Sequence, residues 1–304
     1  MKLVTTTGDF ECFTFDEFER IKCLYDAGFR YIDLSLYTIY PGNKFFEDGF
    51  REFTLEIKKY AEDLGMIFLQ AHSPNTNNLA SEEGYKDAVW KTIRSIEICG
   101  LLGIPNLVVH AGFSTEVTEK DVWFEENRKF FRELFPYMEK YNVNVLCENS
   151  TKKNMGSRYY LISGKDTREF CKFVNHPLFH ACWDTGHANC EGNQYDEILD
   201  LGDELYAIHF NDNRGTSDEH LIPFMGTLNS DEIMSALIDV GFKGPFTLEC
   251  GSSLRPYNYW LGKRQRFEKE ARLREPSIKL QKKAEELLFE TGKEILQAYE
   301  LYEN

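Results

Sequence analysis

The sequence of 304 residues predicts an α/β protein, a single closed (β/α)₈ TIM barrel with a C-terminal helical extension. Short apolar runs alternate with longer stretches of helical periodicity, at a spacing of about 30 to 40 residues, and eight such units are present. The runs are almost continuously apolar, which is typical of parallel strands that are covered on both faces. No GxGxxG turn follows a strand, and this favours a closed barrel over an open dinucleotide-binding sheet.

The first four units each begin with a strand-like run and continue into a helix-like stretch. The predicted strands are LVTTT (3–7), YIDLSLY (31–37), IFLQAHS (67–73) and NLVVHAG (106–112). In the tripeptides AGF, LGM and LGI a glycine stands just past a helical pattern, where its freedom to take positive φ ends a helix.

The second four units repeat the scheme. Their predicted strands are VNVLCENS (143–150), FHACWDTGH (179–187), YAIHFND (206–212) and PFTLEC (245–250). Because no break in composition occurs before about residue 252, we expect one domain over 1–304, with a core barrel over about 1–252. The remainder, 253–304, reads as a loop followed by helices. A helix over 276–302 could serve an interface between copies, so we also expect that a homo-oligomer could form.

The composition excludes several classes of protein. The net charge of −15 repels phosphate backbones, so a nucleic-acid partner is not expected. The eight cysteines are scattered without a CxxC pair, which argues against a disulfide framework or a zinc ribbon. The sequence lacks an apolar run long enough for a membrane span, and its first residues lack the pattern of a signal peptide. A cytoplasmic location is therefore expected.

Residues that can bind metal ions recur where the predicted strands end. They are His72, His110, Glu148, Asp184, His209 and Glu249, with His187 shortly after Asp184 and with Asp218 and His220 in the loop after the seventh strand. Each alone could be a helix cap or a hydrogen-bonded core residue. Active sites of these barrels form at the carboxyl ends of the strands, where several carboxylates would repel one another unless a cation neutralised them.

A metal site of mixed oxygen and nitrogen ligands is therefore predicted from Glu148, Asp184, His209 and Glu249. Such a ligand set suits Mn²⁺, Mg²⁺, Co²⁺ or Zn²⁺. Cys182 has the same strand parity as Asp184, and we interpret it as a core residue. Four aromatic residues are candidates for pocket walls, although loop aromatics more often serve packing: Tyr37, Tyr40, Phe224 and Trp260.

The order of these segments resembles the sugar isomerase/epimerase superfamily with a xylose-isomerase-like barrel, which also includes endonuclease IV. The segments that carry the resemblance are AHSPN, VVHAG, CENS, WDTGHAN, IHFND followed by SDEHLIPFMGTLN, and TLEC. The resemblance implies that the four ligands named above hold a divalent metal, and that Glu148 and Glu249 also move a proton of a sugar or sugar phosphate through an enediolate. It further implies substrate-binding roles for His72, His110, His187 and Arg214. The expected partner is a small-molecule sugar.

Two alternatives stay open at this point. The nine strand-end and loop residues also resemble the fuller ligand set of endonuclease IV, in which Asp218 and His220 would hold additional zinc and the protein would cleave abasic DNA. A barrel that binds sugar or metal without turnover is the second alternative, against which the Glu148 and Glu249 pair argues. The segment ENSTKKN lacks the second glutamate of the ketose 3-epimerases, so the sugar and the carbon that is altered are not determined.

Overall fold

Eight parallel strands close into a barrel in chain order, with the last strand paired to the first, in a computed structural model of the chain. The structure describes residues 1–75, 79–112, 119–251, 253–254, 269–270, 272 and 275–303. The predicted fold class is confirmed, including the helix at the C-terminal end. The division of the chain into one domain of 1–304 stays a prediction.

Every predicted strand is present, and each is shorter than the run of residues that predicted it. Their bounds are β1 Leu3–Thr6, β2 Tyr31–Ser35, β3 Ile67–His72, β4 Asn106–Val109, β5 Asn144–Glu148, β6 Phe179–Asp184, β7 Leu205–Phe210 and β8 Phe246–Leu248. The strands end early because the ladder of hydrogen bonds stops at the barrel rim. The next one or two residues therefore begin the loops that form the mouth.

Helices follow each strand and cover the outside of the barrel. Their bounds are α1 Glu17–Ala27, α2 Phe50–Asp63, α3 Glu82–Leu102, α4 Lys120–Tyr141, α5 Lys152–Met155, α6 Gly164–Val174, α7 Thr185–Asn189, α8 Tyr195–Leu201, α9 Ser230–Asp239 and α10 Ile278–Ala298. Gly28 and Gly103 end α1 and α3 with φ of +118° and +79°, as predicted from their positions. None of the described helices has the length and apolar character needed to cross a membrane.

The C-terminal helix α10 packs on the seam where β8 meets β1. A side-chain carbon placed on Gly292 would lie 2.7 Å from both Leu248 and Leu3, so the helix axis approaches these strands closely. The ring of Phe289 packs edge-on against Phe29 at 5.1 Å between centroids. The helix therefore completes the outer layer of the barrel between its first and last strands.

The inside of the barrel has an apolar side and a polar side. Four buried residues of β4 to β7 form an apolar cluster apart from the main core: Val108, Leu146, Cys182 and Ala207. The interpretation of Cys182 as a core residue is confirmed. Because side chains alternate along a strand, the residues two positions later share this inward face and point toward the mouth: His110, Glu148, Asp184 and His209. Strand register places buried Thr6, Asp33 and Gln70 side by side on β1, β2 and β3.

Candidate metal centre at the mouth of the barrel

Glu148 lies at the centre of the cluster of side chains at the mouth. It is the last residue of β5 and is only 1% exposed. Its Oε1 lies 2.8 Å from Nδ1 of His209, and its Oε2 lies 3.2 Å from Nε2 of both His72 and His110. Both carboxylate oxygens are thus engaged by imidazole rings from β3, from the residue after β4, and from β7.

Two further carboxylates complete what we name the inner group, consisting of Glu148, Asp184, His209 and Glu249 with His72 and His110. Glu148, Asp184, His209 and Glu249 each offer one ligand atom, and these atoms all lie within 4.8 Å of one another. Oε2 of Glu249 lies 3.3 Å from Nδ1 of His209. The four predicted metal ligands therefore converge on one point from β5, β6, β7 and the residue after β8.

Asp184 serves as a helix cap as well as a member of the inner group. Its Oδ1 accepts a hydrogen bond of 2.6 Å from the backbone N–H of His187, which starts the short helix α7. Its Oδ2 accepts one of 2.7 Å from the side chain of Asn211. Asn149 holds the backbone of Asp184 through two further hydrogen bonds. The capping role and a ligand role are compatible, because a carboxylate can accept several contacts at once.

His187, Asp218 and His220 form what we name the outer group, nearer to solvent. Oδ2 of Asp218 lies 3.1 Å from Nε2 of His187 and 3.2 Å from Nε2 of His220, and it accepts a hydrogen bond of 2.9 Å from Asn154. These three residues also offer ligand atoms within 4.8 Å of one another. Nδ1 of His187 lies 3.5 Å from Oδ1 of Asp184, so the two groups touch.

The carboxyls and imidazoles at the mouth of the barrel shift one another's pKa values. Burial disfavours the anion of Glu148, but His110 and the other rings outweigh it and hold the pKa of this carboxyl well below its usual range. Burial raises the pKa of Asp184 to about 6. Burial also disfavours the charged ring of His187, yet the carboxylates of Asp184 and Asp218 raise its pKa to about 10. A divalent cation would provide the positive charge that these protons supply.

The donor set fits a divalent metal. The four predicted ligands of the inner group offer three carboxylates and an imidazole, the mixed oxygen and nitrogen coordination that Mn²⁺, Mg²⁺, Co²⁺ and Zn²⁺ accept. In the outer group Oδ1 of Asp218 is buried and has no hydrogen-bond partner among the described residues. A buried carboxylate oxygen without a donor is costly, and a bound cation would relieve that cost.

The comparison with known proteins identifies the family and agrees with the fold. A family model described as a xylose isomerase-like TIM barrel matches residues 21–275. The chain belongs to this family. A D-psicose 3-epimerase of Clostridium cellulolyticum, solved with D-tagatose, superposes with a TM-score of 0.73 over 97% of this chain and 99% of that one, at 18% identity. An identity this low shows that the fold is shared.

Two curated relatives match part of the chain. An uncharacterised protein of Sinorhizobium fredii is 28% identical over 159 residues, which are 51% of this chain and 50% of that protein. A protein named probable endonuclease 4 of Cenarchaeum symbiosum is 28% identical over 186 residues, covering 54% of this chain and 64% of that one. The chain thus spans half to less than two thirds of the length of these relatives.

In this xylose isomerase-like barrel, nine of the ten residues predicted for the site come together and Arg214 does not. The Nη1 of Arg214 lies 2.7 Å from Oε1 of Glu219, and its side chain is 58% exposed. Within the described part of the chain, no contact joins it to either group. His72 and His110 contact the Glu148 carboxylate directly, so their predicted substrate-binding role competes with a ligand role. All of these roles stay predictions.

The aromatic residues singled out in the sequence have different environments. Tyr37 packs edge-on against His72 and His110, at 5.2 and 6.2 Å between ring centroids, and therefore borders the inner group. Tyr40 instead packs on Phe15 at 4.5 Å. Phe224 is 69% exposed. Trp260 lies outside the described residues.

Sequence reasoning missed the polar residues that surround the ligands. Gln70 lies 2.8 Å from His209, Asn211 donates to Asp184, and Tyr159 donates a hydrogen bond of 3.1 Å to the backbone oxygen of Glu148. Strand parity offered a signal for Gln70, because it stands two residues before His72 and faces the same way. Asn211 stands two residues after His209 and offered the same signal, whereas the contact of Tyr159 depends on how the segment after β5 folds back.

Proposed function

We propose that this protein is a divalent-metal-dependent isomerase or epimerase of a sugar or sugar phosphate. The observation that carries the proposal is the convergence of Glu148, Asp184, His209 and Glu249 within one ligand sphere at the mouth of the barrel. Membership of the xylose isomerase-like family and the similarity in fold to a D-psicose 3-epimerase support it. The expected substrate is a small sugar that carries a carbonyl beside a hydroxyl group.

The two glutamates are proposed to move the proton, from opposite sides of the substrate. A divalent cation held by the inner group would act as a Lewis acid that makes the C–H bond beside the carbonyl more acidic. The side chain of Glu249 is 23% exposed, whereas Glu148 is buried with both oxygens engaged. We therefore propose Glu249 as the base that meets the substrate first, and Glu148 as the group that returns the proton to the enediolate. His72, His110 and His187 are proposed to bind substrate oxygens.

Exchange of substrate hydrogen with solvent tests this proposal. The wild-type protein, loaded in turn with Mn²⁺, Co²⁺, Mg²⁺ and Zn²⁺, is incubated in D₂O with a panel of ketoses and ketose phosphates. Proton NMR should show deuterium entering one substrate at the carbon beside the carbonyl. Glu249→Gln should lower the exchange rate by about 10²- to 10⁴-fold, the usual contribution of an acid–base group.

A matched control is available at the opposite end of the barrel. Glu204 lies 2.9 Å from His180 just before β7 begins, so Glu204→Gln removes a carboxylate beside an imidazole without touching the mouth. Its exchange rate should equal that of the wild type. A wild-type protein that binds metal but exchanges hydrogen in none of the sugars would contradict the proposal.

Hydrolysis of a phosphodiester is the second candidate, because one specific observation favours it. The outer group offers a second ligand set that touches the inner group, and adjacent metal ions can clamp a phosphodiester and activate water. One relative is named a probable endonuclease 4. The net charge of −15 weakens binding to DNA and ranks this function second.

Incision of a duplex that contains one abasic site separates the two functions. Under the sugar proposal the wild-type protein leaves the duplex intact, at low as well as moderate ionic strength. Robust incision that disappears in Asp218→Asn would replace the sugar proposal with phosphodiester hydrolysis.

A further inference from the structure

The contact between Gln70 and His209 defines which nitrogen of the histidine carries a proton. The two Nε2 atoms lie 2.8 Å apart, and both side chains are fully buried. An amide nitrogen can only donate a hydrogen bond, so in this arrangement Nε2 of His209 must accept. A neutral ring then has its proton on Nδ1, which lies 2.8 Å from Oε1 of Glu148.

That arrangement is unsuited to metal binding. Nδ1 is the nitrogen of His209 that faces the carboxylates of Glu148 and Glu249, at 2.8 and 3.3 Å. A nitrogen that binds a metal must offer a lone pair, so the proton of the ring has to stand on Nε2 instead. Nε2–H then needs an acceptor where the amide nitrogen of Gln70 now stands.

Rotation of the Gln70 amide by half a turn supplies this acceptor. The oxygen and nitrogen of an amide have nearly the same size, and their assignment follows from the hydrogen bonds around them. After the rotation Oε1 of Gln70 accepts from Nε2–H of His209. The amide nitrogen takes the place that Oε1 held, where it requires a hydrogen-bond acceptor.

Asp33 is placed to be that acceptor. Asp33 and Gln70 are register partners on β2 and β3, so their side chains stand next to each other on the inward face of the barrel. Asp33 is fully buried, and no hydrogen bond of good geometry reaches either carboxylate oxygen from the described residues, although the hydroxyl of its register partner Thr6 is near. Oε1 of Gln70 likewise has none. One rotation therefore gives partners to both residues, which buried polar groups almost always have.

We propose that Asp33 and Gln70 are positioning residues, which form a chain of hydrogen bonds that holds the proton of His209 on Nε2 and leaves Nδ1 free to bind the metal. The proposal rests on the metal site of the proposed function and adds the residues beneath it. Asp33 accepts from the amide nitrogen of Gln70, and the amide oxygen of Gln70 accepts from His209. Neither residue contacts substrate.

Metal affinity and the tautomer of His209 test the proposal together. Gln70→Leu should weaken binding of Mn²⁺ or Zn²⁺ by about 10- to 100-fold, the effect usual for partners of a ligating histidine. In zinc-loaded protein labelled with ¹⁵N-histidine, long-range ¹H–¹⁵N spectra should show that the His209 proton stands on Nε2. In Gln70→Leu the Nε2–H resonance should move, because its hydrogen-bond acceptor is lost. The His209 signal is identified by its absence in His209→Asn.

Two further variants exclude a general effect on folding. In the double variant Asp33→Asn with Gln70→Glu, the bond between the two residues reverses, but the carboxylate at position 70 still accepts from Nε2–H of His209, so metal affinity should return. Thr247→Val is the matched control. Thr247 pairs with His209 across β7 and β8, is fully buried, and its hydroxyl has no hydrogen-bond partner among the described residues. Its metal affinity should equal that of the wild type.

The proposal is wrong if Gln70→Leu binds metal as tightly as Thr247→Val, or if the double variant stays as weak as Gln70→Leu. These outcomes differ from a failure of the proposed function. A wild-type protein that binds metal, with affinity dependent on Gln70, but exchanges no sugar hydrogen would leave the positioning residues in place and remove only the sugar chemistry.

Discussion

The inner and outer groups lie side by side at the mouth of the barrel, but they are built differently. In the inner group the ligands stand at or next to the ends of strands, and Glu148 is held by three imidazole rings. In the outer group Asp218 and His220 stand in the loop after β7, and His220 has a left-handed backbone with φ of +50°. The position of the inner ligands follows from the strand ladder, whereas the outer ones depend on how a loop is held.

That loop is held by a small set of contacts around Asp212. A bridge pairs Asp212 with Leu221, and the Asp212 carboxylate accepts hydrogen bonds of 2.7 and 2.9 Å from the backbone of Gly226 and Leu228. A side-chain carbon on Gly226 would lie 2.3 Å from both the Asp212 carboxylate and the backbone oxygen of Asn213, so no larger residue fits there. The inner group is therefore positioned by the strand ladder, whereas Asp218 and His220 of the outer group are positioned by this loop.

Glu148→Gln gives the largest expected effect, because it breaks the inner group at its centre. An amide cannot accept from three imidazole rings or neutralise a divalent cation as a carboxylate does. We expect sugar hydrogen exchange to fall by about 10²- to 10⁴-fold and metal content to fall with it. Elemental analysis and the exchange assay in D₂O measure both. Wild-type metal content in this variant would show that Glu148 is not a ligand.

Asp218→Asn changes the outer group alone and therefore separates its contribution from that of the inner group. Its carboxylate is the contact shared by His187 and His220. We expect one ion in the inner group to suffice for sugar chemistry. The hydrogen-exchange rate of this variant should then stay within an order of magnitude of the wild-type rate, and only metal bound by the outer group should be lost. Titration of the metal-stripped protein counts the ions. A loss of exchange as large as in Glu148→Gln would show that the two groups act as one unit.

Glu285→Gln gives the smallest expected effect, which is on stability and not on activity. It concerns the buried carboxyls of Glu285 and Asp9, which lie next to Thr5. Glu285 of α10 and Asp9 both lie within hydrogen-bond reach of Oγ1 of Thr5, at 2.9 and 3.4 Å. Burial raises the pKa of Glu285 from 4.5 to about 7, and burial with the neighbouring Glu285 holds the pKa of Asp9 well above its usual range. Protonated carboxyls are therefore favoured in the folded protein at this seam.

The sign of the resulting pH dependence follows from linkage. A pKa that is higher in the folded state adds stability that is complete below pH 4.5 and is lost as the pH rises through about 7. The free energy of unfolding should fall across this window by at most about 3 kcal/mol, and Glu285→Gln should flatten the fall. Urea unfolding of metal-stripped protein at several pH values measures it. An unchanged slope in the variant would refute the assignment to Glu285.

The sequence predicted the barrel and the inner group well, for one physical reason. Parallel strands of a closed barrel end at the same rim, so residues such as Glu148 and His209 had to meet once the strands were recognised. The parity of the strands also predicted that Cys182 faces the core. The predicted strands extended past the ladder because they included the polar residues that follow each apolar run, such as Ser73, Asn149 and Asp212.

The sequence could not predict contacts that depend on loops or on distances across the barrel. Arg214 was expected to meet a substrate, but its guanidinium lies on Glu219, five residues along the same loop. Gln70 shares the strand parity of His72, but its partner, like that of Asp33, cannot be known until the other strands of the barrel are placed. Contacts across the barrel, such as that between Gln70 on β3 and His209 on β7, form only when the sheet has closed and the strands are offset along the barrel axis.

By itself the sequence determined the eight strand–helix units, the acidic surface and the metal-binding residue types at the strand ends, because hydrophobic periodicity and side-chain chemistry are local properties. Only the tertiary structure decided that nine of these residues divide into two touching groups. It also decided that Glu148 is shared by three imidazoles and that Asp33 stands below them without a well-formed hydrogen bond to any of the described residues. These facts depend on distances between residues far apart in the chain, which are fixed only when the barrel closes and the loop after β7 folds back over its rim.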